Sequence, residues 1–182
     1  MLAAPRVPAI VRTASQWLPG ERDLLEEWAV RVTAAQHAHY YLMTRLRRRT
    51  LWMGIPVVVL TALVGTSLFA TLSSSTNRVP AALRVTIGAV SVLASVLAAL
   101  QTFLKFSERA EKHGLVADWF SAVRRDIDQM RATPEQDRGD PHEVLNDVRK
   151  EINKIVQNAP EIGEKVWHQF AVKYGAKEPY EV

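Results

Sequence analysis

The residues best placed to do chemistry in this 182-residue chain lie inside its most apolar stretches. Gly88, Ser91, Ser95, Ala98, Ala99 and Thr102 recur at helical spacing and predict one narrow face of small and hydroxylated side chains. Thr61, Gly65 and Thr66 form a similar cluster upstream. Small residues let helices approach closely, and Ser or Thr hydroxyls hydrogen-bond across such a contact. The same face suits either packing within one helical hairpin or the wall of a water-filled path between subunits. Gln101 is the most polar residue of these stretches and reads as a pore-mouth residue or a surface anchor. Pro56, just after Gly54, removes a helical hydrogen bond and is a candidate hinge.

Catalytic and metal chemistry find no comparable support. His37 and His39 are two residues apart, so they face different sides of a helix, and no carboxylate stands at metalloprotease spacing. His39 falls on an apolar seam and reads as a hydrogen-bonded core histidine; His113, His142 and His168 stand singly. Glu26-Glu27 and the Glu108/Glu111 pair lie among bases at ion-pairing distances along a helix. The chain has no cysteine, which removes disulfides, thiolate catalysis and Cys-based metal sites and fits a reducing cytosol. No Gly-rich phosphate loop or nucleophile elbow is present. The expectation is a protein that is not an enzyme, with no catalytic, metal or cofactor site.

The elements that position the hydroxylated faces are set by charge. Thr50 to Asn77 carries no charged side chain, and neither does Val85 to Leu104. Eleven Leu, Ile, Val or Phe residues fall in Leu51 to Leu72 and ten in Val85 to Leu104. A bilayer core of about 30 Å needs roughly 20 apolar residues of helix. Either segment gains on the order of 3–6 kcal/mol on insertion, less the cost of its polar residues. The mean hydropathy of −0.06 conceals this segregation. The 128 residues outside 51–104 are too few to wrap two such helices. The fold class expected is therefore all-α: a two-span transmembrane hairpin, with helices at 51–72 and 85–104 and an external loop at 73–84.

Flanking charge sets the orientation. Arg31, Arg45, Arg47, Arg48, Arg49, Lys105, Arg109, Lys112 and Arg124 stand on the terminal sides, against Arg78 and Arg84 in the loop. The positive-inside rule then places both termini in the cytoplasm. Arg45, Arg47, Arg48, Arg49, Lys105 and Arg109 are candidate contacts to anionic lipid headgroups, each worth about 1 kcal/mol. The pI of about 9.6 does not indicate nucleic acid. Away from the membrane edge acids and bases interleave, as in Arg124-Arg125-Asp126-Ile127-Asp128, with no aromatic stacking platform among them.

Both spans are expected to continue into the cytosol. Residues 1–20, with Pro5, Arg6, Pro8, Arg12 and Pro19, form a loose leader without a cleavage site, so the first span serves as an uncleaved signal. Leu25, Trp28, Val32, Ala35, His39, Leu42 and Leu46 alternate steps of three and four, a heptad seam on an N-terminal helix at 21–50. Val116, Trp119, Val123, Ile127 and Met130 stripe a continuation of the second helix over 105–132. Leu24 to Leu72 and Val85 to Arg131 would then be unbroken rods of about 70 Å, pairing within a hairpin or between subunits. Amphipathic C-terminal helices fill 140–175. The first is capped by Asp140-Pro141-His142-Glu143 and carries Val144, Leu145, Val148, Ile152, Ile155 and Val156; the second runs from Pro160 with Ile162, Val166, Trp167 and Phe170 and fades at Gly175.

Several segments resemble the SLATT family: His37-Ala-His-Tyr-Tyr41, Gly54 through Leu72, Val92 through His113 with its Gln101-Thr-Phe-Leu and Glu108-Arg-Ala-Glu runs, and Asn158 through Trp167. Together they span most of the chain from Leu24 onward, one module of about 21–175. The resemblance implies a two-span effector of bacterial anti-phage and conflict systems, in the inner membrane. Such proteins are proposed to form pores when a separate sensor or nucleotide-signal partner reports infection. Two helices cannot enclose a pore, so conduction would require a homo-oligomer. The alternative expectation is a non-conducting membrane adaptor or regulatory subunit that anchors a cytosolic partner.

Overall fold

The computed structural model describes residues 16–73 and 80–177. Within them every regular element is helical: α1 Pro19–Ser73, α2 Ala81–Leu104, α3 Phe106–Ala132, a single 3-10 turn Glu135–Asp137, α4 Pro141–Asn158 and α5 Glu164–Tyr174. The chain divides into two compact units, residues 1–39 with 115–182, and residues 40–114. Both α1 and α3 contribute residues to each unit.

The first unit begins with a tryptophan anchor. Pro19 opens α1, and the Leu18 N–H donates to Glu21 Oε2 at 2.9 Å, half of a capping box. Just before it, Trp17 is only 1% exposed. The Arg138 guanidinium sits 5.6 Å from the Trp17 ring centre and is held there by donating to the Thr133 and Arg131 carbonyls at 2.7 and 3.0 Å. Of the residues expected in a loose leader, Trp17 is therefore buried, and Pro19 and Gly20 belong to α1. An isolated tryptophan in a polar run has no periodicity to reveal it. Pro5, Arg6, Pro8 and Arg12 lie outside the described residues.

Around Trp17 the core is a set of helical seams. Leu25, Val32 and Ala35 of α1 meet Val116, Phe120, Val123 and Ile127 of α3, and Leu145, Val148, Ile152 and Ile155 of α4. Phe120, not Trp119, occupies the α3 seam; Trp119 is 40% exposed. The three-and-four spacing 116, 120, 123, 127, 130 explains this, since Trp119 falls a sixth of the way or more round the helix from that line. A smaller cluster packs Ala34, Ala38 and Phe170 with Ile162, Val166 and Tyr174. Asp140 caps α4, accepting from the His142 and Glu143 N–H groups at 2.9 and 3.2 Å. The last helix starts at Glu164 rather than Pro160: Ala159, before the proline, is extended (φ −76°, ψ 136°) and ends α4, and Gly163, also extended (φ −60°, ψ 140°), is the cap from which α5 begins. Gly175 ends that helix in the left-handed conformation (φ +74°).

In the second unit α1 lies antiparallel to α2 and the start of α3. As α1 advances from Met43 through Arg49 to Gly54, the neighbouring positions recede from Gly114 through Phe106 to Gln101. Met53, Val57, Leu60 and Val64 form the half-buried stripe of α1, and Ile87, Ser91, Ala94, Ala98 and Gln101 that of α2. Ala94, 3% exposed, marks a close approach of the backbones.

Two boundaries differ from expectation. Ala81 to Arg84 are helical, not loop; the rest of the expected loop after Ser73, including Arg78, lies outside the described residues apart from Pro80. The rod expected over Val85 to Arg131 is broken at Lys105, which takes left-handed angles (φ 46°, ψ 39°) between α2 and α3. A non-glycine residue there carries a strain of about 1–2 kcal/mol. Neither Gly nor Pro signals the break in the sequence.

Trp17→Ala is expected to destabilise the first unit by about 3–5 kcal/mol, whereas Leu18→Ala, at a position 51% exposed, should stay within about 0.5 kcal/mol. Urea unfolding followed by far-UV circular dichroism in detergent checks both.

Candidate functional site

The second unit is the candidate site, and its main property is uncovered apolar surface. Leu51, Ile55, Val58 and Leu63 of α1 and Val85, Val92, Val96 and Leu100 of α2 are all exposed. In the most apolar window of the first helix no residue is buried, and in that of the second only 6% are. Two helices are thus long and apolar enough to cross a membrane. A pair of helices can bury one stripe of each, and everything else on them must face another phase or another chain.

The hydroxylated residues stand mostly off the contact between the two helices. Of the α2 face, Ser91 and Ala98 are half-buried, while Gly88, Ser95, Ala99 and Thr102 are exposed. At 100° per residue that face centres about a quarter turn from the buried stripe. Thr61, Gly65 and Thr66 of α1 are exposed as well, so the structure does not bring the two hydroxyl clusters together. Each hydroxyl donates to its own helix. Ser91, Ser95 and Thr102 bond the Ile87, Ser91 and Ala98 carbonyls at 2.8, 2.9 and 3.1 Å; Thr61 and Thr66 bond those of Val57 and Ala62 at 2.8 and 2.9 Å. The donors are satisfied without water, and the oxygens keep acceptor capacity.

Gln101 and Gly54 are brought together. A Cβ added at Gly54 would lie 3.4 Å from Gln101 Nε2, so the long amide rests over backbone that has no side chain of its own. Pro56 is exposed, and α1 continues through it to Ser73.

Beside this contact is a basic collar. Arg45, Arg47, Arg48, Arg49, Lys105 and Arg109 are all exposed. The Arg49 guanidinium lies 5.9 Å from the Phe106 ring centre. Lys112 and Lys105 pair with Glu108 at 2.9 and 3.4 Å, and those hydrogen bonds, Lys112 first, hold its carboxyl below the usual carboxylate range. Trp52 and Phe103, 73% and 82% exposed, adjoin the collar on the apolar side. Aromatic residues next to bases are the pattern of a membrane–water boundary. Sequence reasoning passed over both rings, although Trp52 stands three residues after Arg49 and Phe103 two before Lys105.

His37, His39 and His113 are packed among other side chains, while His142 and His168 are exposed. His39 is buried and stacks on Phe120 with ring centres 5.8 Å apart. His37 Nδ1 lies 2.9 Å from the Thr33 carbonyl, and its ring faces Tyr174 at 4.8 Å. Among the described residues no group of three or more His, Asp or Glu is placed to hold a metal. Burial pushes the His113 imidazole below its ordinary range. Glu27 accepts from Lys177 at 2.9 Å and Arg31 at 2.8 Å, and the Lys177 bond above all lowers its carboxyl.

Comparison with protein-family models, curated proteins and solved structures finds no match to this chain.

The His113 shift has a pH signature. Its folded pKa lies below the ordinary value of 6.5, so the unfolded chain binds the proton more readily. The contribution to stability is whole above about pH 6.5 and falls as pH drops toward the folded pKa. His113→Gln is expected to flatten the stability profile in this acid window, measured as melting temperature from pH 7.5 to 5.

Proposed function

We propose that this chain is a membrane effector whose α1 and α2 lie in a lipid bilayer as a two-span hairpin. It assembles into oligomers, and on a signal received by its cytosolic helices the spans rearrange into a pore that breaches the inner membrane of a bacterium. The observation that carries the membrane part is the near-complete exposure of both apolar windows. A soluble protein buries such helices, whereas lipid tails solvate them without further cover. The collar of Arg45, Arg47, Arg48, Arg49, Lys105 and Arg109, with Trp52 and Phe103, supports a cytosolic boundary beside anionic headgroups. Both termini then lie in the cytoplasm.

Assembly into a pore is supported by where the hydroxyls sit. Gly88, Ser95 and Thr102 are left free of the intrahairpin contact, so a second copy has a small-residue, acceptor-bearing edge to approach. The role in anti-phage conflict, and a separate sensor or nucleotide-signal partner, follow from the resemblance to SLATT proteins alone. A second reading, a non-conducting adaptor anchoring a cytosolic partner, is favoured by one observation. Every hydroxyl described above bonds its own backbone and needs neither water nor a neighbour.

Induced expression in bacteria with a membrane-potential dye separates the two. The pore reading expects depolarisation and growth arrest, cut to below about a tenth by Ser95→Leu, since an apolar constriction dewets. Val58→Leu, at an exposed apolar position of α1 outside both hydroxylated clusters, should leave depolarisation unchanged. A chain that stays monomeric under cross-linking in its membrane and never depolarises cells would be the adaptor.

A further inference from the structure

We propose that the unit formed by residues 1–39 and 115–182 carries a binding site for a flat, uncharged aromatic or heteroaromatic small molecule. Its four helices surround a cavity of about 670 Å³, inside the range of roughly 300–1,000 Å³ typical of small-molecule sites. The walls come from every helix of the unit: Trp28 and Ala35 of α1, Phe120 of α3, Ile152 and Val156 of α4, and Trp167 of α5. Protein interiors are close-packed, so a cleft this large beside a well-filled core is a feature the surrounding side chains maintain. It does not depend on whether the apolar helices conduct.

The lining chooses the ligand. Trp28, Phe120 and Trp167 offer ring surfaces, and His39, stacked on Phe120, extends them; flat aromatic molecules gain most from such walls. The charges cancel. Arg31 and Arg149 line the cavity together with Glu161 and Glu164. Arg31 is already bonded to Glu27 at 2.8 Å, and Arg149 Nη2 donates to Asn146 Oδ1 at 2.8 Å. The four lining charges sum to zero, so the walls hold no net charge to compensate an ion, and a strongly charged ligand would lose its hydration without an equal return. Asn153 and the two carboxylates supply hydrogen-bonding partners for the edges of a heterocycle.

The full chain in lipid nanodiscs, carrying Trp52→Phe so that its four remaining tryptophans all belong to this unit, is titrated with N-phenyl-1-naphthylamine. Energy transfer from tryptophan to this neutral probe is the readout. The expected result is a saturable signal at one probe per chain. It should be lost in Ala35→Leu and in Val156→Phe, which fill the cavity from opposite walls, and kept in Val172→Phe, an exposed position away from it. Val156 is 44% exposed, so its variant is expected to fold, with helicity as the control. The sulfonated analogue 1-anilino-8-naphthalenesulfonate, with the same ring body, should bind at least about tenfold more weakly, because the Glu161 and Glu164 carboxylates offset the attraction of Arg31 and Arg149. A signal that rises linearly and is the same in all variants is partition into lipid and overturns the site. Saturable binding in which the anionic probe equals or exceeds the neutral one overturns the assigned ligand class.

Discussion

Two helices can hide only one stripe of each other, and this limit governs the second unit. Met53, Val57, Leu60 and Val64 of α1 and Ile87, Ser91, Ala94 and Ala98 of α2 are the covered positions, while apolar side chains such as Leu51, Val58, Val92 and Leu100 stay uncovered. At roughly 25 cal/mol per Å² such surface is far too costly to leave in water. The other features of the unit are consistent with that constraint. Hydroxyls bond their own carbonyls, charges stop at Arg49 and resume at Lys105, and exposed Trp52 and Phe103 stand where they do.

The first unit solves the opposite problem. Its helices bury conventional seams against one another and keep charges in exposed pairs such as Arg131–Glu26 and Arg22–Glu135, both at 2.7 Å. Pairs this exposed contribute little each; the apolar seams and Trp17 hold the unit. Beside that core lies the cavity among Trp28, Phe120 and Trp167.

Much of this was legible in the sequence because it is carried by periodicity and by the placement of charge. The uncharged stretches mark the exposed apolar helices, the heptad seam from Leu25 to His39 marks the α1 core line, and Asp140-Pro141 marks the start of α4. What escaped depends on single residues or on three-dimensional register. Trp17 has no periodic partner, and Lys105 turns the chain without Gly or Pro. The choice of Phe120 over Trp119 is a matter of helical phase, which a list of apolar residues does not resolve. The hydroxyl face was found by spacing, but whether it points into or away from the hairpin needed the positions of Ile87, Ala94 and Gln101. The cavity, assembled from four helices and the α4–α5 connection, has no linear signature at all.

The central claim is that lipid tails solvate the uncovered faces of α1 and α2. Because the chain contains no cysteine, single cysteines report on this directly in intact membranes. Val58→Cys and Leu93→Cys are predicted to resist a water-soluble maleimide until detergent is added, while Asp147→Cys, on an exposed face of α4, reacts at once in opened vesicles. Equal labelling at all three positions before detergent would contradict the account.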